Sequence, residues 1–129
     1  MRNFGLIGKS LVHSFSKDYF NKKFKEENID AFYSNFELDN ISNLKELFSD
    51  YKLSGLNVTI PFKQKVISQL DSLDEISQEI DAVNTIKPFF DNNKLVSLKG
   101  YNTDVFGFQQ MVKPYLKSHH TKALILGTG

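Results

Sequence analysis

Lys63 closes a nine-residue run, Gly55-Leu56-Asn57-Val58-Thr59-Ile60-Pro61-Phe62-Lys63, in which three reactive or hydrogen-bonding side chains, Asn57, Thr59 and Lys63, stand among apolar neighbours. The run reads as a buried strand feeding the first turn of a helix. Pro61 suits the first helical position, because its φ is already fixed near the helical value and its missing N–H would have no intrahelical partner there. Thr59 then lies beside backbone N–H groups that no helix bond uses. A hydroxyl, a helix N-terminus and an ammonium around one point are the ingredients of a site for a small anion. A strand and helix carrying a solvated lysine is the plainer reading of the same residues, and both stay open on this run alone.

Three further clusters carry polar groups. Gly8-Lys9-Ser10-Leu11-Val12-His13-Ser14-Phe15-Ser16 follows an apolar run and places two hydroxyls, Ser14 and Ser16, two residues apart. Hydroxyls at the carboxyl end of a first strand suit an anion, because ligands of open α/β sheets gather there. Ser16 is also of the right type to cap the helix that follows. Asn84 sits in the apolar run Ala82-Val83-Asn84-Thr85-Ile86, and Asp104 ends Gly100-Tyr101-Asn102-Thr103-Asp104 ahead of a helical pattern. His13 could serve as an acid or base, with packing in its loop as the plainer role. His119-His120 has no third ligand nearby and reads as surface.

Elements that would position these groups follow from the apolar pattern. Phe4 to Ile7 reads as a short buried strand. Phe20 and Phe24 share one face of a helix begun by Ser16. Ala31 to Leu38 alternates as a strand, and Asp39 or Asn40 caps a helix with Ile41, Leu44 and Phe48 on its apolar face. Leu53 to Ile60 is a strand, and the helix from Pro61 ends near Leu70. Ser72 and Glu75 form a capping-box pattern, with Ile76 and Ile80 on one face behind it. Ala82 to Ile86 pairs with Leu95 to Leu98 through the turn Asp91-Asn92-Asn93-Lys94. A helix runs from about Val105 to Leu116 with Phe108, Val112 and Tyr115 as its stripe, and Pro114 shortens it. The expected fold is α/β: an open, mainly parallel but mixed sheet with helices on both faces, in three layers, one hairpin breaking the parallel pattern.

The chain has 129 residues, a length that fits one domain, and its hydrophobic fraction of 40% with twelve Phe supplies a core. A net charge of +1 argues against a nucleic-acid surface or an anionic-membrane anchor. With no Cys there is neither disulfide nor thiolate chemistry, which is compatible with a reducing compartment. The first apolar run is too short for a signal peptide, and nothing reaches transmembrane length, so a cytoplasmic protein is the simplest expectation.

Residues 122–129 close the chain with Ala123-Leu124-Ile125-Leu126-Gly127-Thr128-Gly129, a strand of the buried parallel type followed by the opening of a glycine-rich turn. Gly127 and Gly129 start a dinucleotide fingerprint that lacks its third glycine and helix. The expectation is a front domain over residues 1–121 and, from 122, the start of a dinucleotide-binding domain. An unpaired apolar strand at 123–126 tends either to disorder or to pair with another chain; a homodimer is one assembly open to it.

Four segments together resemble the amino-terminal, substrate-binding domain of the shikimate dehydrogenase family: His13-Ser14-Phe15-Ser16, Asn57 to Lys63, Ala82 to Ile86 and Gly100 to Asp104. Their order and spacing match over nearly the whole chain, and the glycine-rich end falls where that family's NADP-binding domain begins. Ser10, Lys17 and Asp81 depart from the family's usual proline, proline and glycine, and none removes a reacting group. The resemblance implies NADPH-dependent reduction of 3-dehydroshikimate to shikimate, with NADP bound mainly beyond this chain. It implies that Ser14 and Ser16 hold the substrate carboxylate. Thr59, Asn84 and Asp104 would hold ring hydroxyls, and Lys63 would stand at the reacting oxygen as acid–base partner with Asp104. Asn57 and Thr103 would support them, and a glutamine beyond residue 129 would complete the site. Two other readings share these residues: a quinate/shikimate dehydrogenase preferring NAD, and a non-catalytic module binding shikimate-like acids.

Overall fold

The computed structural model describes residues 1–127. In chain order the regular elements are β1 (Arg2–Gly8), α1 (Ser16–Glu26), β2 (Ala31–Glu37), α2 (Leu44–Asp50), β3 (Leu53–Val58), α3 (Phe62–Lys65), β4 (Ser72–Leu73), α4 (Glu75–Ile80), β5 (Thr85–Asp91), β6 (Lys94–Tyr101) and α5 (Asp104–Val112). One 3-10 turn follows α3 at Val66–Gln69, and another follows α5 at Lys113–Tyr115. The fold is α/β, built on a six-stranded open sheet in the order β2-β1-β3-β5-β6-β4. The pairings β1–β2, β1–β3 and β4–β6 are parallel, and β5 alone runs against its neighbours. Asn92 and Asn93, both at positive φ (47° and 63°), make the two-residue turn between β5 and β6.

Both faces of the sheet are covered because successive residues point to opposite sides. Leu6 and Tyr33 face α1, whose Phe20 and Phe24 pack on them beside Phe4 of β1. Ile7, Leu56, Val58, Ile86 and Leu98 face the other way, onto Leu44 and Phe48 of α2. Phe48 is fully buried, and withdrawing such a ring from water contributes about 2–3 kcal/mol. Leu53 joins the same core as Leu56 although three residues separate them. A register shift opposite Asn3 and Phe4 absorbs Ser54 and resets the alternation.

Several expected boundaries move. Ser16 does not cap α1; Phe15 holds that position without a side-chain cap bond. Asn40 accepts from the backbone N–H of Ser42 in a local turn, so α2 begins only at Leu44. β3 stops at Val58, and α3 is a single turn from Phe62, with Pro61 just outside it. In place of the capping box, Ser72 and Leu73 pair with β6. Asp74 then caps α4 by accepting from Ser77 N–H at 2.8 Å. That shift turns the helix, burying Ser77 and leaving Ile76 and Ile80 exposed. Ala82 to Asn84 stays outside the ladder, and β5 starts at Thr85. The stripe on α5 is not a buried one: Phe108 and Tyr115 are exposed, because no element of the described residues packs over them. Residues 123–126 form no strand, since no neighbour offers a ladder, and Leu124, Ile125 and Leu126 are exposed.

Candidate substrate site

Strand β1 leads out through α1 to β2 on one side of it, and the chain then crosses to β3 on the other side. The carboxyl ends of β1 and β3 are therefore the point where the strand order reverses, where ligands of open α/β sheets bind. A cleft of about 980 Å³ opens there. Its walls include Ser14, Ser16, Thr59, Lys63, Asn84 and Asp104. The structure thus brings together, from four separate segments, all six residues that the resemblance implies for the site.

Backbone bonds fix the three walls. Thr59 N–H donates to Ile7 C=O at 3.0 Å, tying the end of β3 to β1. Val83 N–H donates to Lys63 C=O at 2.8 Å, and Asn84 N–H to Tyr101 C=O at 3.0 Å, which lock the Asn84 segment between α3 and β6. Leu11 N–H donates to the Glu37 carboxylate at 2.6 Å and holds the first loop over β2. Asp81 takes the left-handed φ of 52° that ends α4, a conformation a short polar side chain tolerates in place of glycine.

At the centre, Lys63 Nζ meets Asp104 Oδ2 at 2.6 Å, with 35% and 54% of the two side chains exposed. A half-exposed pair of this kind adds only about 0–1 kcal/mol to stability, so folding gains little from it. Asp104 opens α5, and its place is set by Asn102. Asn102 Oδ1 accepts the backbone N–H of Asp104 at 2.9 Å and of Val105 at 3.2 Å, while its Nδ2 donates to Ala82 C=O at 3.0 Å. The amide of Asn84 donates to Asp104 Oδ1 at 2.9 Å and to Thr103 Oγ1 at 2.8 Å.

The first loop supplies a different chemistry. The Ser14 hydroxyl is buried and has no hydrogen-bond partner among the described residues. A buried polar atom without a partner is rare, and one in a cleft wall is suited to a ligand oxygen. Phe15 and Ile60, both largely exposed, give the mouth an apolar rim. His13 lines the cleft from the loop. The anion site expected at a helix N-terminus is not what holds the cleft together. α3 is one turn of four residues, and its capping position makes no side-chain bond to Thr59.

Asn102, Tyr33 and Thr85 were not picked out by their chemistry alone. Asn102 carried a signal, an amide two residues before a helix start. Tyr33 carried none, because alternation in β2 does not say which face of a doubly covered strand leads to the cleft. Its ring is 2% exposed, and burial pushes its phenol up to about 12, against a smaller opposing effect of the Ser16 hydroxyl. Of the two glycines proposed for a cofactor turn, Gly127 has a φ of 93° and Gly129 lies outside the described residues. Among the described residues no cluster of metal-ligating side chains occurs, and no helix is long and apolar enough to cross a membrane.

A second cleft of similar volume, about 980 Å³, lies at the opposite end of the sheet and is lined by Lys45, Lys52, Phe90 and Lys94 among others. It lacks the linked amide, carboxylate and ammonium groups of the first. Of its lysines, Lys45 is held by Asp71 at 2.8 Å.

Residues 6–86 match the family model described as the shikimate dehydrogenase substrate binding domain. A shikimate dehydrogenase (NADP+) of Clostridium perfringens is 43% identical over 115 residues, which are 88% of this chain and 41% of that protein. The enzyme of Clostridium beijerinckii is 39% identical over 132 residues, covering 100% and 47%. Among solved structures, shikimate dehydrogenase 1 of Peptoclostridium difficile superposes with a TM-score of 0.76 at 38% identity, covering 88% and 41%. Shikimate 5-dehydrogenase of Listeria monocytogenes, solved in complex with shikimate and NAD, superposes with a TM-score of 0.73 at 30% identity, covering 89% and 39%. The chain spans less than half the length of these relatives.

Proposed function

From the premise that this chain belongs to the shikimate dehydrogenase substrate-binding domain family, we propose that its cleft binds shikimate and 3-dehydroshikimate and forms the substrate half of an NADP-dependent oxidoreductase. The observation that carries this reading is the Lys63–Asp104 pair at 2.6 Å, steadied by the Asn84 amide at 2.9 Å, on a wall of the same cleft as the unpartnered Ser14 hydroxyl. Hydroxyl donors at one side and an ammonium–carboxylate pair at the other match an acid with a carboxylate at one end of its ring and hydroxyls at the other.

In this reading Ser14 and Ser16 take the carboxylate. Thr59, Asn84 and Asp104 orient ring hydroxyls. The reacting oxygen lies against Lys63, where negative charge develops as the carbonyl is reduced. An ammonium at that oxygen stabilises the charge and passes on a proton. Asp104 holds the ammonium in place. NADPH, bound by a nucleotide-binding half, supplies the hydride. Residues 1–121 are the substrate domain in this proposal, and residues 122–129, with Gly127 and Gly129, begin the cofactor domain. Preference for NADP over NAD is decided outside this chain. The Listeria structure contains NAD, so both cofactors belong in the assay.

Titration calorimetry of the chain with shikimate tests binding. Saturable heat at millimolar ligand that is lost in Asp104→Asn supports the reading; no heat from the wild type refutes a preformed substrate half-site. In the protein extended by its nucleotide-binding half, Lys63→Ala is expected to lower kcat by about 10²-fold or more. An effect on KM alone would reduce Lys63 to uniform binding.

A further inference from the structure

Tyr33 and Thr85 do not line the cleft, yet hydrogen bonds connect them to its reactive pair with one donor direction throughout. Tyr33 Oη donates to Asn57 Oδ1 at 2.8 Å, and Asn57 Nδ2 donates to Thr85 Oγ1 at 3.2 Å. Thr85 Oγ1 donates to Asn84 Oδ1 at 3.0 Å, and Asn84 Nδ2 donates to Asp104 Oδ1 at 2.9 Å. The other carboxylate oxygen of Asp104 receives Lys63 Nζ.

The direction is forced from the cleft outward. An ionised carboxylate only accepts, so Asn84 must turn its NH2 towards Asp104. The backbone N–H of Thr103 only donates, and it reaches Asn84 Oδ1 at 3.0 Å, which demands the same orientation. Thr85 has one proton, and that proton goes to Asn84 Oδ1, so the Thr85 oxygen must accept from Asn57. Asn57 is left with its carbonyl facing Tyr33, and the phenol must donate. At the far end Tyr33 is rigidly held. Its backbone N–H and C=O are both bonded by the Asn21 carboxamide, at 2.8 and 2.9 Å, and its ring stacks on Phe20 at 4.9 Å. A phenol stays protonated, and so a donor, over the whole neutral range.

We propose that Tyr33 and Thr85 are positioning residues: they set the polarity of a hydrogen-bond chain that holds the Asn84 amide, and through it the Asp104 carboxylate, in the orientation that receives Lys63. Hydrogen bonds in such a chain polarise one another, so a break behind the cleft is felt at its wall. The consequence for ligand affinity rests on the substrate reading of the cleft; the consequence for the Asn84 amide does not.

Thr85→Val keeps the branched shape and removes the hydroxyl, Thr85→Ser keeps the hydroxyl, and Tyr33→Phe removes the terminal donor, a hydroxyl that also acts on Ser16. Two readouts are taken on the same 129-residue chain: the side-chain amide signals of Asn84 and Asn57 by ¹H–¹⁵N NMR in the free protein, and shikimate affinity by calorimetry. Thr85→Val and Tyr33→Phe are each expected to move both amide signals and to weaken shikimate binding about tenfold, the size of one net hydrogen bond. Thr85→Ser is expected to leave both near wild type. Unmoved amide signals in Thr85→Val, or equal impairment in Thr85→Ser and Thr85→Val, would overturn the chain of positioning and leave only packing. Should Thr85→Val not fold, Tyr33→Phe decides on the same two signals. A wild-type chain that binds no shikimate would refute the substrate reading, and the amide signals would still decide the inference.

Discussion

Asn84→Ala is the substitution whose cost the geometry specifies most closely. The residue is 9% exposed and its carboxamide makes four bonds: it donates to Thr103 Oγ1 and Asp104 Oδ1, and accepts from Thr103 N–H and Thr85 Oγ1. Truncation leaves all four partners. Thr103 Oγ1 and Asp104 Oδ1 belong to exposed residues and recover hydrogen bonds from water. The Thr103 N–H and the Thr85 hydroxyl lie behind them and lose their acceptor, at about 1–1.5 kcal/mol each. The expected loss is therefore about 2–3 kcal/mol, read as a lower midpoint with an unchanged slope in urea unfolding followed by far-UV circular dichroism. Asn84→Asp makes the complementary test. It keeps an acceptor for both donors but sets a second carboxylate where the amide now lies 2.9 Å from Asp104 Oδ1. Its cost should grow from pH 3 to pH 7, as charge repulsion replaces a hydrogen bond. If Asn84→Ala changes stability by less than about 0.5 kcal/mol, the amide is not bonded as described and the reasoning about this wall fails.

Three further outcomes follow from individual residues. The Tyr33 phenol has its pKa raised from 10.0 to about 12 by burial, so the unfolded chain releases the proton first. The stability this group contributes is complete below pH 10 and is lost between about 10 and 12. Over that range the wild type should lose about 3 kcal/mol relative to Tyr33→Phe in urea unfolding, and parallel curves would contradict the burial of the hydroxyl. The Lys45 ammonium, and next the Leu98 N–H, hold the Asp71 carboxyl below its ordinary 3.8; its stabilising effect is present above that pH and lost as pH falls through the lower folded value. Acid unfolding of Asp71→Asn should therefore converge with that of the wild type at low pH, and a gap that persists there would refute the linkage. A Cβ on Gly5 would stand 2.5 Å from the Phe36 ring and 2.8 Å from the Ser34 carbonyl. Gly5→Ala should then cost about 1–3 kcal/mol in thermal unfolding, and a neutral result would mean that β2 yields to it.

The parts of the fold legible in the sequence were those with strong local chemistry. Strand β2 announced itself by apolar alternation, β1 and β3 as short, largely apolar runs, and the Asn92-Asn93 turn by residues that accept positive φ. Of the six candidate residues around the cleft, Thr59 and Lys63 were legible as polar groups in an otherwise apolar run and Ser14 and Ser16 as hydroxyls after a first strand, whereas Asn84 and Asp104 became candidates through the family resemblance. Short helices were not legible in the same way. Six residues in α4 show less than two turns of periodicity, so moving the cap from Ser72 to Asp74 was enough to bury Ser77 in place of Ile76. Phe108 and Tyr115 keep helical spacing yet stay exposed, because spacing defines a face without saying what covers it. Tyr33 and Thr85 escaped notice for another reason. Their importance lies in which atom donates to which, and that is a property of the assembled network.

A structure of this chain with shikimate bound tests the central claim most directly. The account predicts the ligand at the carboxyl ends of β1 and β3, its carboxylate on Ser14 and Ser16 and its ring hydroxyls within hydrogen-bond reach of Lys63 and Asp104. Shikimate seated instead in the opposite cleft beside Lys52 and Lys94, with the Lys63–Asp104 pair untouched, would contradict it.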